Sequence, residues 1–117
     1  MSEAAFQQQI KKTCEWMNLA VYHTYDSRRS QPGFPDLVIA GANGVLIREL
    51  KTETGRLTRM QQYWLDVLTE GGMDAAVWRP SQMNQILHEL RALGRPTVEL
   101  PDGYGRNGLK LRTRVGA

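Results

Sequence analysis

The sequence predicts an α/β fold in which helices and strands follow one another in the order α-β-β-β-α-β-α. Three segments carry apolar residues at the 3.6-residue period of an amphipathic helix, and four short runs are rich in the β-branched and aromatic residues typical of strands. An Asn-Gly dipeptide between two of these runs is typical of a β-hairpin turn. The length of 117 residues suits one hydrophobic core and excludes an ordinary two-domain protein.

The first helix is predicted over about residues 3–17, with Ser2 as its N-cap and Asn18 as its end. Its apolar positions recur at helical spacing: Phe6, Ile10, Cys14 and Met17. A strand is predicted next, from Leu19 to Tyr25, because this run is rich in Val, Tyr and Thr. Residues 26–33 have the composition of a surface loop.

Two apolar runs, Asp36 to Ala40 and Val45 to Lys51, are predicted to pair as an antiparallel hairpin. Asn43-Gly44 lies between them and is favoured in a type I′ turn, because both central residues of that turn adopt positive φ. We therefore expect a two-residue loop at Asn43-Gly44, flanked by the pair Ala42 and Val45.

The second half of the chain is predicted to form a helix, a short strand and a third helix. The helix runs from Thr58 to about Glu70 and stops at Gly71-Gly72, and the strand covers Ala75 to Trp78. Ser81 is expected to cap the third helix, which stops at Gly94. The apolar residues of that helix form one stripe: Met83, Ile86, Leu87, Leu90 and Leu93.

The composition changes after a predicted domain of residues 1–95, and residues 96–117 form a tail. An edge strand is predicted at Val98 to Leu100, and the glycine-rich residues 103–117 are expected to be mobile. The net charge of +3 arises from residues 103–117, which include no acidic residue and contain Arg106, Lys110, Arg112 and Arg114. A basic tail suits a polyanionic partner, and equally a solvated segment that has none.

Composition also excludes several classes of protein. No stretch approaches the roughly 20 apolar residues needed to cross a bilayer, and the N-terminal residues lack the apolar run of a secretory signal. A single cysteine, Cys14, rules out an intrachain disulfide, and with only two histidines no zinc site of Cys and His can form. We therefore expect a soluble, cytoplasmic protein in which any metal is bound by oxygen ligands.

Charged side chains are predicted to converge at one end of the hairpin. With the loop at Asn43-Gly44, Asp36 lies opposite Lys51. Glu49 then lies opposite Val38, one diagonal step from Asp36. Because side chains on a strand alternate with period two, Asp36, Glu49 and Lys51 leave the sheet on the same face, whereas a loop with an odd number of residues would separate the two acids. Two carboxylates so placed are close enough to bind one divalent cation.

Pro35-Asp36 followed by Glu49-Leu50-Lys51 resembles the PD-(D/E)xK signature of restriction-endonuclease-like nucleases. A longer series of residues extends the resemblance in order along the chain. It consists of Glu3-x-x-x-Gln7, Tyr22-His23, Asp26-Ser27-Arg28-Arg29-Ser30, Gly33-Phe34-Pro35-Asp36-Leu37, Glu49-Leu50-Lys51-Thr52-Glu53, Leu57-Thr58, and Gln61 ahead of Trp64-Leu65. This series closely resembles the VRR-NUC domain in its small stand-alone form, as found in phages, over about residues 3–93. The resemblance implies a restriction-endonuclease-like core, a mixed four-stranded sheet flanked by helices.

The resemblance further implies the members of an active site. The metal ligands it implies are Asp36, Glu49, the main-chain carbonyl of Leu50 and Glu3. They are expected to bind Mg²⁺, with Mn²⁺ as a substitute, and no small-molecule cofactor is implied. Lys51 corresponds to the catalytic lysine, and Gln61 to a further residue of the site.

Structural roles are alternatives for several of these residues. Glu3 in the first turn of a helix is favoured by the helix dipole without any metal. Gln61 stands three residues after Thr58, which is the spacing of a capping box. Asp36 and Lys51 could form a plain cross-strand salt bridge.

Four residues are candidates for DNA contacts. Arg28 and Arg29, with Ser27, lie in the predicted loop and are suited to phosphate contacts, although a solvated loop explains them almost as well. His23 could also reach the substrate, and its alternative is simple packing on a half-buried strand. Three aromatic residues are assigned to the core or an interface rather than to base stacking: Tyr63, Trp64 and Trp78.

The predicted function is metal-dependent hydrolysis of DNA phosphodiester bonds. The resemblance implies 5′-phosphate and 3′-hydroxyl products, and a homodimer that acts on branched DNA such as four-way (Holliday) junctions, since cutting two strands needs two active sites. The alternatives are a flap or single-strand nuclease, a catalytically silent DNA-binding accessory protein, and a structural homodimer built on the second and third helices. None of these hypotheses involves a membrane.

Overall fold

Residues 1–24 and 31–112 are described by a computed structural model of the chain. Its helices and strands are α1 (Glu3–Trp16), β1 (Ala20–His23), β2 (Leu37–Gly41), β3 (Gly44–Leu50), α2 (Arg59–Glu70), β4 (Asp74–Trp78) and α3 (Met83–Leu93). A single 3-10 turn, Pro80–Gln82, precedes α3. The predicted order of elements is confirmed. Within the two described ranges, no helix combines the length and the apolar character needed to cross a membrane.

The four strands form one sheet in the order β1-β2-β3-β4. Both β1 and β3 run antiparallel to β2, whereas β4 runs parallel to β3 because α2 carries the chain back along the sheet. The third strand, β3, is central and is buried from Leu46 to Leu50. The predicted mixed four-stranded α/β architecture is therefore confirmed.

Helices cover both faces of this sheet. On one face, α1 and α3 pack on alternate residues of the strands and form the main core: Phe6, Ile10, Cys14, Leu19, Val21, Leu37, Ile39, Leu46, Leu50, Trp78, Ile86, Leu90 and Leu93. Ile47, which points to the opposite face from Leu46, is buried outside this cluster, as is Leu65 of α2. Residues that alternate along β3 thus contact different layers, which explains why Leu46 and Ile47 are both buried although they are neighbours in the sequence.

The hairpin turn lies one residue earlier than predicted. Gly41 pairs with Gly44, so Ala42 and Asn43 form the loop, and neither Asn43 nor Gly44 has positive φ. Main-chain N–H groups of the loop donate to the last carbonyls of α3: Ala42 to Gly94 (3.2 Å) and Asn43 to Leu93 (2.8 Å). A Cβ at Gly41 would lie 2.2 Å from the oxygen of Gly94. Packing against the end of α3 therefore decides the turn, and the type I′ prediction is wrong.

The shifted turn changes the partners of the site residues without changing their face. The last pair of the ladder is Leu37 with Arg48, and Val38 pairs with Ile47. The predicted pairs of Asp36 with Lys51 and of Glu49 with Val38 are therefore wrong. By extension of the ladder, Asp36 comes opposite Glu49. Since the shift moves the register by an even number of residues, both carboxylates remain on one face, as predicted.

The third helix begins later than predicted, because Pro80 starts a 3-10 turn in front of it. Gln82 is the N-cap residue, and no side chain caps the helix. The N–H of Ser81 donates to the carboxylate of Glu53 in the loop after β3. Ser81 lies inside the turn, so the prediction that it caps α3 is wrong.

The edge strand predicted at Val98 to Leu100 is also wrong. Val98 is 79% exposed, so this segment buries too little apolar surface to hold a strand against the sheet. Farther on, Tyr104 and Lys110 form an isolated antiparallel bridge, and the N–H of Leu111 donates to the oxygen of Gly103 at 2.7 Å. Arg114 of the predicted basic tail lies outside the described residues.

Candidate active site

Three carboxylates from three elements converge at one end of the sheet. Glu3 in the first turn of α1, Asp36 just before β2, and Glu49 near the end of β3 each offer an oxygen, and these oxygens lie within 4.8 Å of one another. Oxygen ligands surround Mg²⁺ at about 2.1 Å, so opposite ligands are about 4.2 Å apart. Adjacent ligands are closer, about 3 Å apart, so side-chain movements of about 1 Å would bring all three oxygens onto one cation. The donor set therefore fits a hard divalent cation.

The main chain at the end of the hairpin holds Asp36 in place. Its Oδ2 accepts a hydrogen bond from the N–H of Leu50 at 2.8 Å, where a main-chain acceptor of β2 would stand if the ladder continued. From the other side, the N–H of Thr24 donates to the main-chain oxygen of Asp36 at 3.0 Å. In a strand, the N–H and C=O of one residue face the same neighbour, so the carbonyl of Leu50 also faces the Asp36 side.

Glu49 is the most buried acid of the cluster, with 2% of its surface exposed. Burial, and then the negative charge of Asp36, raise the pKa of Glu49 to about 8, while Lys51 acts in the opposite direction. Without a cation, the raised pKa favours the protonated form of Glu49 near neutral pH. A bound cation would oppose this shift, because its positive charge favours the ionised carboxylate.

Lys51 follows the last residue of β3, and its side chain lies at the same site. Its Nζ lies 3.8 Å from Oε2 of Glu49, and its main-chain N–H donates to Trp78 at 3.1 Å, which continues the pairing with β4. Among the ion pairs of residues 1–24 and 31–112, the partner of Lys51 is Glu49 and not Asp36. The cross-strand salt bridge between Asp36 and Lys51 is therefore wrong as an alternative.

Gln61 makes hydrogen bonds both at the start of α2 and to the carboxylate cluster. Its Oε1 accepts the N–H of Thr58 at 2.9 Å, and its N–H donates to Oγ1 of Thr58 at 3.1 Å, which completes a capping box at the start of α2. The remaining amide group, Nε2, donates to Oε2 of Glu49 at 3.2 Å. The same side chain thus begins a helix and orients a carboxylate of the cluster.

Comparison with known families agrees with this geometry. The model of the VRR-NUC domain family matches residues 2–82. The chain belongs to the VRR-NUC family. One solved structure, described as a VRR_NUC domain protein, superposes with a TM-score of 0.62 over 81% of this chain and 92% of the other, at 19% sequence identity. No curated protein matches significantly. VRR-NUC domains are of the nuclease type, so the family implies a role in DNA processing.

Of the four residues predicted to contact DNA, only His23 lies within the described residues of this VRR-NUC domain. His23 is half-buried on β1 and is hydrogen-bonded to the amide Nε2 of Gln7 on α1, so it packs toward that helix. Burial, and then the charge of Lys11, lower the pKa of His23, and Asp36 opposes them. Ser27, Arg28 and Arg29 lie outside the described residues, so their roles stay predictions.

One residue that sequence reasoning missed organises the loop between Lys51 and α2. Nη1 of Arg79 donates to the main-chain oxygens of Thr52 (2.6 Å), Gly55 (2.8 Å) and Glu53 (3.4 Å). Arg79 directly follows β4, and only the parallel pairing of β3 with β4 brings it beside a loop more than 20 residues earlier. No local pattern in the sequence marks such a contact.

A second residue missed from the sequence is Arg48, which is buried on the face opposite Glu49. It is 1% exposed, its Nη2 lies 2.9 Å from Oδ1 of Asp74, and its guanidinium carbon lies 5.0 Å from the ring centre of Trp78. Trp78 is buried, as predicted. Arg48 thus stabilises the junction of β3, β4 and α3 within the VRR-NUC fold and takes no part in the carboxylate cluster.

Proposed function

We propose that this VRR-NUC domain is a metal-dependent DNA endonuclease whose cation is held by Asp36, Glu49, Glu3 and the main-chain carbonyl of Leu50. The observation that carries the proposal is the convergence of three carboxylate oxygens within 4.8 Å beside a lysine. A surface that only bound DNA would gain nothing from such a cluster, because acids repel backbone phosphates unless a cation lies between them.

Mg²⁺ is the preferred cation, with Mn²⁺ as a substitute, because the donors are all hard oxygens. When bound, such a cation offsets the negative charge that builds on a scissile phosphate and makes a nearby water more acidic. The role of the protein is to hold the carboxylates: Leu50 fixes Asp36 through its N–H, and Gln61 fixes Glu49 through its amide.

Lys51 is the proposed catalytic side chain that does not bind the cation. Its side chain is 12% exposed and its Nζ lies 3.8 Å from Oε2 of Glu49, so the ammonium is held at the edge of the carboxylate cluster rather than extended into solvent. From there it can orient or deprotonate the attacking water, or add positive charge to the transition state. In each of these roles, removal of the Lys51 ammonium slows the chemical step.

Branched DNA, such as a four-way junction, is the proposed substrate, and a homodimer is the proposed active form. The support is the resemblance to stand-alone members of the family, together with symmetry, since one small site cuts one strand and two strands need two copies. Arg28, Arg29, Ser27 and His23 are proposed to contact the DNA backbone. The flap or single-strand nuclease and the silent DNA-binding protein are outcomes that the experiment below separates.

The test compares cleavage of a labelled four-way junction, a flap, a duplex and a single strand, with Mg²⁺, with Mn²⁺ and with EDTA. We expect cutting that requires a metal, is lost in Lys51→Ala and Asp36→Asn, and yields paired symmetric cuts on the junction. Lys12→Ala, which removes an exposed lysine of α1, is the matched control. Binding without cutting under every condition would leave a DNA-binding protein, and preference for flaps would reassign the substrate.

A further inference from the structure

An aromatic groove lies next to the carboxylate cluster and has no role in the mechanism above. It has a volume of about 330 Å³ and is lined by Tyr22, Thr24, Gln31, Phe34 and Trp64. Edge strand β1 and helix α2 contribute its aromatic walls together with the segment before β2. None of the five lining residues carries a charge, so the groove does not repel a phosphate chain passing beside it.

One wall of the groove is a fixed pair of rings. Phe34 and Trp64 meet edge to face, with ring centres 5.3 Å apart and planes at 72°. Nε1 of Trp64 donates to the main-chain oxygen of Pro32 at 3.2 Å, and the ring of Tyr63 lies 6.0 Å away on another side. The Trp64 ring is thus oriented by contacts with three neighbours.

The other wall is formed by Tyr22, which is 64% exposed although it lies on a strand. Tyr22 pairs with Val38, and no residue of the adjacent core cluster covers its ring. A large aromatic side chain left in solvent on a sheet face, in the same groove as a fixed ring pair, is suited to a flat ligand.

The groove opens beside the carboxylates. Tyr22 shares a face with Asp36, because its partner Val38 stands two residues from Asp36, about 7 Å along the strand. Next to Tyr22, Oγ1 of Thr24 donates to the main-chain oxygen of Pro35 at 3.4 Å. Trp64 stands about one helical turn after Gln61, whose amide contacts Glu49. The elements that hold the site therefore also hold the groove.

We propose that this groove binds an unpaired nucleobase of the DNA strand that is cut at the carboxylate cluster, a proposal that rests on the proposed nuclease function. Aromatic faces stack on any base, which gives affinity without sequence preference. A paired base is stacked within its duplex and cannot enter, so the groove selects DNA with unpaired nucleotides near the cut, as at flaps and at branch points or ends whose base pairs have opened. The groove thereby supplies a physical reason for structure selectivity.

The test measures DNA binding in EDTA by fluorescence anisotropy, so that it does not depend on cleavage. The probes are a labelled flap, the same flap with single abasic sites placed next to the branch, and a fully paired duplex. Variants are Tyr22→Ala and Tyr22→Phe, and the matched control is Trp16→Ala. Trp16 is 87% exposed at the far end of α1, about 20 Å of helix away from Glu3.

We expect Tyr22→Ala to weaken flap binding by about ten-fold and Tyr22→Phe to retain it, since stacking needs the ring and not the hydroxyl. Duplex binding should stay the same in all variants. The abasic site that weakens binding most should lower the affinity of wild type about ten-fold relative to the intact flap. The same abasic site should change the affinity of Tyr22→Ala little, because the abasic site and the substitution remove the same contact.

The proposal is overturned if Tyr22→Ala and Trp16→Ala bind the flap with equal affinity. It is also overturned if the abasic site lowers the affinity of wild type and of Tyr22→Ala by the same factor. It is also overturned if Tyr22→Ala changes the sedimentation of the free protein and leaves DNA binding intact, since the groove would then contact a second copy of the chain. If wild type shows the expected differences in binding but cuts no DNA in the cleavage test, the nuclease mechanism is wrong and the base-binding groove stands.

Discussion

Nε2 of Gln61 donates a hydrogen bond to Oε2 of Glu49 at 3.2 Å while Oε1 of the same amide caps α2. The start of α2 is thereby coupled to the orientation of a buried carboxylate, so a substitution at this one position acts on both helix stability and the site. A matched pair of substitutions can separate these two effects.

Gln61→Glu should fold nearly as well as wild type, because glutamate also serves in a capping box, yet it should lower nuclease activity by about 10–100-fold, as loss of a group that orients a metal ligand does. A glutamate places a carboxylate where Glu49 needs a donor. Thr58→Ala is the converse control: it should cost about 1 kcal/mol of stability and leave cleavage close to wild type under folded conditions. Equal activity of Gln61→Glu and wild type would contradict the prediction.

The pKa of Glu49 predicts an unusual pH dependence for the metal-free protein. Because the pKa rises from 4.5 in the unfolded chain to about 8 in the fold, the folded state binds more protons between these values, and stability falls as pH rises from 4.5 to 8. Glu49→Gln should remove most of this loss and be more stable than wild type at pH 9 in EDTA, by a few kcal/mol. Thermal melts of both proteins at pH 6 and pH 9 test this.

The affinity for a metal should depend on the ionisation of the same carboxylate, Glu49. A cation competes with the proton on Glu49, so the affinity for Mg²⁺ should increase with pH up to about 8, with protons released on binding. Titration calorimetry in two buffers of different ionisation enthalpy measures the number released. Addition of Mg²⁺ should raise the melting temperature of wild type and leave that of Asp36→Asn unchanged; an equal rise in both would place the metal elsewhere.

Arg79 should control the order of the loop that follows Lys51. Arg79→Ala removes the donors to Thr52, Glu53 and Gly55, so we expect faster amide hydrogen exchange after β3, a stability loss of about 2 kcal/mol and weaker cleavage. Arg79→Lys should restore part of this order, because all three hydrogen bonds come from the single nitrogen Nη1 and an ammonium also carries three donors on one nitrogen. Unchanged exchange in Arg79→Ala would show that other contacts order the loop.

The hairpin turn offers a test of what sets its register. Gly41→Ala places a Cβ 2.2 Å from the oxygen of Gly94 and should destabilise the protein by about 2 kcal/mol or more. Gly44→Ala in the same turn meets nothing closer than Cδ2 of Leu93 at 3.7 Å and should be tolerated. Denaturant unfolding of the two variants measures the difference, and equal stabilities would exclude contact with α3 as the cause.

The order of elements and the shared face of the acids could be predicted from the sequence because both depend on local periodicity. Apolar spacing marks the helices, and the two-residue period of a strand puts Asp36 and Glu49 on one face for any even shift of the hairpin. That parity is why the predicted shared face of these two residues remained correct although the pairing partners were wrong. The spacing of Gln61 from Thr58 predicted the capping box that the structure shows, whereas its contact with Glu49 depends on how α2 packs against β3.

Tertiary structure alone decided the register of the β2–β3 hairpin, the conformation of the loop after Lys51 and the groove at Tyr22. The side-chain amide of the loop residue Asn43 donates to the main-chain oxygen of Ala92 near the end of α3, 49 residues later in the sequence. Arg79 donates to Thr52, which lies 27 residues earlier. Such contacts form only after the sheet and helices have packed, because unsatisfied carbonyls at a helix end and in a loop take whichever donors the fold brings near. Local periodicity carries no information about those partners.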